Sequence, residues 1–400
     1  MGKIYARIYQ GIMKIGNYLL PWKMPEVVKG EGVVLTLPRF IKDKGYHNVL
    51  IVTDGVLMSL HLLDGMIAKL DEEGIKYVIY DGVKPNPTDV NVLEGVKLYK
   101  ENNCDAMIAF GGGSPMDCAK AIGAKIVKPN KDIEKLQGLF KVLKKIPTIF
   151  TVPTTAGTGS ETTIASVITI EKTHHKASIN DLCLMPKYAF LDPSLTIGLP
   201  PKVTSTTGLD ALCHAVEAYT NNTYNSKLEK KLCKDAVKLI HDNLYVAYQD
   251  GKNIEARENM QEAAFYAGRA FTRGSVGYVH AIGHTLGGLY GLPHGLAMSI
   301  LLPHVMKKFG SSVYDKLADL ADVCGIETED KSNKAKAEAF ISWIEEMKVK
   351  MNIPVYPDCI KDEDIDQIVD WAFKEANPLY PTPEYWTKDE FKSFIKTLHD

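Results

Sequence analysis

Hydrophobic residues along this 400-residue chain follow two different rhythms. Through the first half, short apolar runs rich in β-branched residues alternate with stretches of helical period. Residues 47–54 (HNVLIVTD), 76–82 (KYVIYDG), 105–113 (DAMIAFGGG) and 147–155 (PTIFTVPTT) read as strands. Between them, helical patterns run to about Glu73 and, from a cap at Thr88, to about Asn102. Such alternation predicts a parallel sheet with helices on both faces. Residues 163–170 and 176–180 read as a β-hairpin excursion. From about Lys202 the period becomes helical throughout, as in LDALCHAVEAY, KLCKDAVKLIHDNLYVAY and AKAEAFISWIEEMKV, and no strand is expected. The proline-rich segment 193–201 marks the junction. An α/β domain over 1–195 is thus expected to precede an all-helical domain over 196–400, in line with a chain too long for one typical core.

At the N-terminus, Ile4, Ile8, Ile12 and Ile15 recur at helical spacing, interspersed with Arg7, Gln10, Lys14 and Asn17. This predicts an amphipathic helix over 1–20, counted with the α/β domain, that packs on the body or on a partner subunit. The net charge of −2 argues against a nucleic-acid binder. No run of about eighteen apolar residues occurs, so no membrane span is expected. The seven cysteines are scattered, odd in number and without a Cys-x-x-Cys pair, which suits a reduced, cytoplasmic protein.

Chemistry enters in the helical half. Asp210 and His214 stand four apart in GLDALCHAVEAY, so both side chains project from one face of a helix. His280 and His284 repeat that spacing, and His294 follows a glycine- and proline-containing break. Asp210, His214, His280 and His294 offer one carboxylate and three imidazoles, a set suited to Fe(II), Zn(II) or Co(II) and unsuited to Ca(II) or Mg(II). With an open position, such a site is of the catalytic type. His284 is open to three readings: a fifth ligand, a proton relay or a packing residue. Cys213 points about 100° away from His214 along the helix and is not counted as a ligand.

Two loops in the first half suit a nucleotide. Gly111, Gly112 and Gly113 leave a strand and let backbone approach a bulky anion. Ser114 is read as the N-cap of the next helix, with Pro115 at its first position and Asp117 at its third. A strand, a flexible turn and a helix start of this kind hold a pyrophosphate, although a plain βα turn would look the same. The loop VPTTAGTGSE offers Thr154, Thr155 and Thr158 as neutral donors, or is simply a polar surface loop. Asp54 ends a strand where a carboxylate accepts from ribose hydroxyls and repels a 2′-phosphate; it equally suits an N-cap.

Together these motifs resemble the iron-containing (group III) alcohol dehydrogenases. The matching stretches are VTD (52–54), DGVKPNPT (81–88), GGGSPMD (111–117), PTTAGTGSE (153–161), TTGLDALCHAVE (206–217) and VHAIGHTLGGLYGLPHG (279–295), in order, with a further likeness in NPLYPTPEYW (377–386). The resemblance implies a Rossmann-like α/β dinucleotide-binding domain followed by an all-α metal-binding domain, the dehydroquinate synthase-like architecture. It implies that Asp210, His214, His280 and His294 hold Fe(II) or Zn(II), and that NAD(H) lies on Gly111–Ser114 and Asp117, lined by Thr154, Thr155 and Thr158. It places Lys176 near the ribose, Phe271 beside the substrate pocket and His284 in proton transfer, and matches Asp54 to the position that selects NAD(H). Arg273 and Met298 depart from residues common in relatives and are expected to reshape the pocket.

The implied reaction is reversible hydride transfer between NAD(H) and a small alcohol or aldehyde, with the metal as Lewis acid on the substrate oxygen. The resemblance also implies at least a homodimer. A glycerol dehydrogenase-like polyol oxidoreductase shares the architecture, but tends to use fewer protein ligands. A metal-dependent hydrolase would have no use for the glycine- and threonine-rich loops.

Overall fold

The computed structural model describes residues 2–173 and 175–398, which fall into two compact units: Trp22–Leu199, and Met1–Pro21 together with Pro200–Asp400. The first unit is built on a six-stranded sheet of β1 (Glu26–Lys29), β2 (Asn48–Val52), β3 (Lys76–Tyr80), β4 (Ala106–Gly111), β6 (Thr148–Pro153) and β9 (Tyr188–Leu191). The order is β1-β9-β6-β4-β2-β3, and every pairing is parallel. β5 (Gly138–Leu139), β7 (Ala165–Ile170) and β8 (His175–Asn180) form a second, three-stranded sheet. In it β7 and β8 pair antiparallel, which is the expected hairpin. The short strands β1, at one edge, and β9, next to it, carried no clear signal in the sequence.

Why the central strands read as continuous apolar runs is visible in the core. Val49, Ile51, Ala106, Ile108 and Phe110 face one hydrophobic cluster, while Leu50, Val52, Met107 and Ala109 face another. A parallel sheet covered on both sides needs apolar residues at every position. The covering helices are α2 (Leu37–Asp43), α3 (Gly55–Ser59), α4 (Asp64–Glu73), α5 (Asp89–Glu101) and α6 (Gly113–Val127). α5 starts at the expected cap, where Thr88 and Asn91 form a reciprocal capping box.

The second unit is helical: α1 (Lys3–Leu19), α7 (Pro201–Thr220), α8 (Lys227–Gln249), α9 (Ile254–Gly274), α10 (Tyr278–Tyr290), α11 (His294–Phe309), α12 (Tyr314–Cys324), α13 (Asn333–Lys350), α14 (Ile365–Ala376) and α15 (Lys388–Lys396). The placing of α1 corrects the sequence reading of the domains. It belongs with the helical unit, not the α/β unit. It also packs through its polar side: Gln10 is buried and donates to the carbonyls of Pro378 (3.0 Å) and Tyr380 (2.8 Å), and Arg7 donates to Pro383 O (3.2 Å). Ile4, Ile8, Ile12 and Ile15 face outward, 59–78% exposed. The carbonyls of the 378–383 segment need donors, and the polar side of α1 supplies those for Pro378 and Tyr380, while Asn222 and Tyr224 serve Pro381 and Leu379.

Arg273 follows from the same packing. Its Nε donates to Asn17 Oδ1 (3.0 Å) and its Nη1 lies 3.5 Å from Glu229 Oε2, so the expected pocket residue fastens α1 to the body. Met298 is fully buried where α10 and α11 meet, its Cε against Gly283.

In the α/β unit, Lys120 of α6 is fully buried, and its ammonium reaches Ser160 O (2.6 Å), Ser160 Oγ (2.9 Å), Thr163 Oγ1 (2.8 Å) and Ala165 O (2.9 Å). One cation thereby holds the 160–165 segment against α6. Replacing it by the isosteric Met leaves these acceptors unpaired, at a cost of about 2–3 kcal/mol. Lys120→Met is expected to lower the midpoint of thermal unfolding, followed by circular dichroism, by several degrees. An unchanged midpoint would remove Lys120 from this role.

Candidate metal centre and nucleotide loops

Helix α7 has no proline beyond its first turn, and it sets Asp210 and His214 one turn apart on a buried face. α10 brings His280 to the same place. The third imidazole arrives at the first residue of α11, because Gly295 lets that helix start lie directly on α7: a Cβ at Gly295 would stand 2.7 Å from Thr206 O. The four donor atoms of Asp210, His214, His280 and His294 lie within 4.8 Å of one another. His294 Nε2 is 3.4 Å and His280 Nε2 3.9 Å from Asp210 Oδ1. The His214 and His280 rings stack at 4.6 Å, and Phe271 of α9 stacks on the outer face of His214 at 4.1 Å.

Whether a metal suits this cluster is tested by its hydrogen bonds. Asp210 Oδ1, His214 Nδ1 and His280 Nε2 are buried and have no hydrogen-bond partner. Buried polar atoms are nearly always satisfied, and each orphan costs about 1–3 kcal/mol. Donors on opposite sides of one ion at about 2.1 Å stand at most about 4.2 Å apart, close to the size of the cluster. Burial pushes His214 down to about 3, against the pull of Asp210, and pushes His280 well below its ordinary value. Both imidazoles are therefore neutral near pH 7, the form that ligates. Burial alone would raise the Asp210 carboxyl, but His214, His294 and His280 hold it well below the carboxylate range. The donor set and its orphaned atoms fit Fe(II) or Zn(II). Asp210 and His280 are only 2% exposed, whereas the His294 side chain is 34% exposed, so the cluster opens at His294.

His284 lies next to that opening, its ring stacked on His294 at 5.2 Å. Its Nδ1 is 2.7 Å from Glu375 Oε1, which also accepts from Tyr380 Oη (3.0 Å). On the buried side, His280 Nδ1 lies 2.5 Å from Glu217 Oε2. Neither Glu217 nor Glu375 was singled out from the sequence. Glu217 could have been, since it lies one turn beyond His214; Glu375 is 91 residues from His284 and left no local signal.

The nucleotide candidates gather in the α/β unit. The chain runs from β2 to β3 on one side and then to β4 on the other, so the strand order reverses between β2 and β4. The crevice outside the carboxyl ends at such a reversal is where open α/β sheets bind ligands. Asp54 follows β2 there, and Gly111–Gly113 follow β4. Gly111 has φ +145°, and a Cβ on it would meet Pro115 and Leu57 at 2.7 and 3.1 Å. Gly112 and Gly113 lie against Thr155 and Thr158, and Thr154 N–H donates to Gly111 O (3.0 Å), so the two loops are in contact.

The start of α6 differs from the expectation. α6 begins at Gly113 with Gly112 at its cap, so Ser114 is not the N-cap and Asp117 lies beyond the first turn. Asp117 instead accepts from Ser160 Oγ (2.8 Å) and Val167 N–H (3.0 Å), tying the threonine-rich loop and β7 to α6. Asp54 is the N-cap of α3, but both bonds, from Val56 and Leu57 N–H, go to Oδ1. Lys176 stands on β8 in the smaller sheet, with its ammonium on Asn86 Oδ1 (2.9 Å) of the 84–88 turn.

Comparison with known proteins decides the family. Residues 25–193 match the family described as iron-containing alcohol dehydrogenase, and residues 204–399 match the C-terminal part of the same family. The chain belongs to the iron-containing alcohol dehydrogenases. It is 39% identical over 373 residues to alcohol dehydrogenase 4 of Schizosaccharomyces pombe, covering 92% of this chain and 86% of that one. It is 36% identical over 372 residues to the NAD-dependent methanol dehydrogenase of Bacillus methanolicus, covering 92% and 96%. The crystal structure of a 1,3-propanediol oxidoreductase superposes with a TM-score of 0.90 at 33% identity, covering 95% of this chain and all of that one. As a member of this family the chain is an oxidoreductase acting on alcohols or aldehydes, which sets the hydrolytic alternative aside. α1 lies outside both matched regions.

Proposed function

We propose that the chain interconverts a small alcohol and its aldehyde by hydride exchange with NAD(H), using Fe(II) or Zn(II) held by Asp210, His214, His280 and His294. The observation that carries this reading is the group of orphaned buried atoms, Asp210 Oδ1, His214 Nδ1 and His280 Nε2, in a cluster that opens only at His294. When bound, the metal supplies Lewis acidity at the substrate oxygen and the nicotinamide carries the hydride. The protein does the rest. Burial keeps His214 and His280 neutral and excludes water from their side of the site. Phe271 fixes the plane of His214 and bounds the substrate pocket. His284, held at Nδ1 by Glu375, presents its other nitrogen for moving the hydroxyl proton. Gly111–Ser114 and Asp117, with Thr154, Thr155 and Thr158, would hold the dinucleotide, with Asp54 and Lys176 as the residues that would meet its ribose.

A cytoplasmic setting is supported by seven free cysteines, and no described helix is long and apolar enough to cross a membrane. A homodimer or larger assembly is supported by the outward isoleucine face of α1, a contiguous apolar patch of the kind that marks contact surfaces.

These readings make three predictions. His280→Ala and His294→Ala should each lower turnover by more than about 100-fold and reduce bound metal, measured by aldehyde-dependent NADH oxidation and elemental analysis. Wild-type rate with full metal content in either variant would reject the ligand set. NADH should exceed NADPH in kcat/KM by at least about tenfold, equivalent to about 1.4 kcal/mol, and Asp54→Gly should narrow that gap. Its loss as a cap costs only a few tenths of about 1 kcal/mol, so a preference for NADPH in the wild type would count against the role and not the fold. Light scattering should show a particle of at least two 44.3 kDa chains that Ile8→Glu/Ile12→Glu breaks down; a wild-type monomer would contradict assembly.

A further inference from the structure

The buried face of His280 carries an inference that rests on the proposed metal site and goes beyond it. His280 has two ring nitrogens in opposite environments. Nε2 is turned toward Asp210 Oδ1 and has no hydrogen-bond partner. Nδ1 lies 2.5 Å from Glu217 Oε2. Both groups are 2% exposed, so no solvent competes for that bond. The other carboxylate oxygen, Oε1, accepts from the backbone N–H of Val279 (2.7 Å). Gly277 leaves the space for this, since a Cβ there would stand 2.9 Å from Oε1.

The geometry points to Glu217 as a positioning residue that locks His280 in the tautomer with its proton on Nδ1, leaving the Nε2 lone pair for the metal. A neutral imidazole donates from one nitrogen and accepts at the other, so the partner of one nitrogen decides what the other can do. Burial pushes the Glu217 carboxyl up, but the backbone N–H groups of Gly277 and Val279 aimed at it favour its carboxylate form. A carboxylate only accepts, and Nδ1 then carries the proton. The backbone N–H of Val279 occupies Oε1 and fixes the orientation of the whole group. Carboxylates placed behind ligating histidines set ring orientation and basicity in this manner.

Cys213 is the one other group at that nitrogen, its Sγ 3.9 Å from Nδ1. At that distance the thiol is a weak partner beside Glu217 at 2.5 Å, so the choice of tautomer falls to Glu217. Cys213, Glu217 and His280 could in principle hold an ion of their own. The 2.5 Å separation speaks against it, because two donors on one ion are held about 3 Å apart or more.

The lock makes an unusual prediction about an isosteric change. In Glu217→Gln, the Val279 N–H claims the amide oxygen and the amide NH₂ is left facing Nδ1. Nδ1 must then accept, the proton moves to Nε2, and the ligating lone pair is lost. Glu217→Met imposes no tautomer. If Glu217 merely filled space, Gln would be mild and Met severe; the lock predicts that Gln binds metal at least as poorly as Met.

The test is Zn(II) affinity of the full-length protein by competition with a chromophoric chelator, with circular dichroism confirming the fold. Glu217→Gln is expected to bind on the order of 10–100-fold more weakly than wild type. Affinity within about threefold of wild type, or a Gln variant that clearly outperforms Met, overturns the lock. Should the variants not fold, the metal-stripped wild type still decides: ¹³C NMR of histidine-labelled protein, with the His280 signal assigned through His280→Gln, should show the Nδ1–H form. The Nε2–H form overturns the lock. Wild-type protein that binds no Zn(II) at all overturns the metal reading and this inference together, whereas equal binding by wild type and the Gln variant overturns only this one.

Discussion

A carboxylate buried as deeply as Asp210 must be neutralised where it lies, and the helical unit is organised around that need. Isolated burial of a charge costs more than any single contact returns. α7 sets the neutral His214 one turn on, α10 brings the neutral His280 and α11 brings His294, donors that converge with Asp210 where a bound cation would supply the missing charge. The close approach of α11 to α7 at Gly295 and the stacking of Phe271 on His214 are consequences of the same requirement. Three polar atoms remain orphaned, and the cost of leaving them so is the structural argument for an ion.

The α/β unit solves a different problem with similar means. Its sheet is apolar on both faces, so polar chemistry is confined to the loops beyond the carboxyl ends of the strands. There the glycine turn at 111–113 packs against Thr155 and Thr158, and Asp117 and Lys120, one helical turn apart, clamp the segment from 160 to 167. Groups that look like ligand-binding residues in isolation thus shape the loops. Asp117 positions backbone, and Asp54 caps a helix through one oxygen.

Much of this was legible beforehand, for a physical reason. Strand and helix periods are local, so β2, β3, β4, β6 and the β7–β8 hairpin were readable, as was the i,i+4 pair Asp210/His214. Ligands on three helices became legible only through their combined donor chemistry and the family resemblance. What escaped was set by partners far away in sequence. The sequence left open whether α1 packs on the body or on a partner subunit; Gln10 is buried because distant carbonyls at 378 and 380 need its amide. Arg273 was read as a pocket residue because its partner, Asn17, lies 256 residues away. Ser114 looked like a cap since nothing local says that the helix begins two residues earlier. Glu375 on His284 belongs to the same class of long-range pairing.

Anomalous diffraction from crystals soaked anaerobically in Fe(II) tests the central claim most directly. One strong peak per chain is expected, with Asp210, His214, His280 and His294 each about 2.0–2.2 Å from it and a coordination position left open on the His294 side. A crystal without that peak, or with iron bound elsewhere and the orphaned atoms of Asp210, His214 and His280 still unpartnered, would contradict the account.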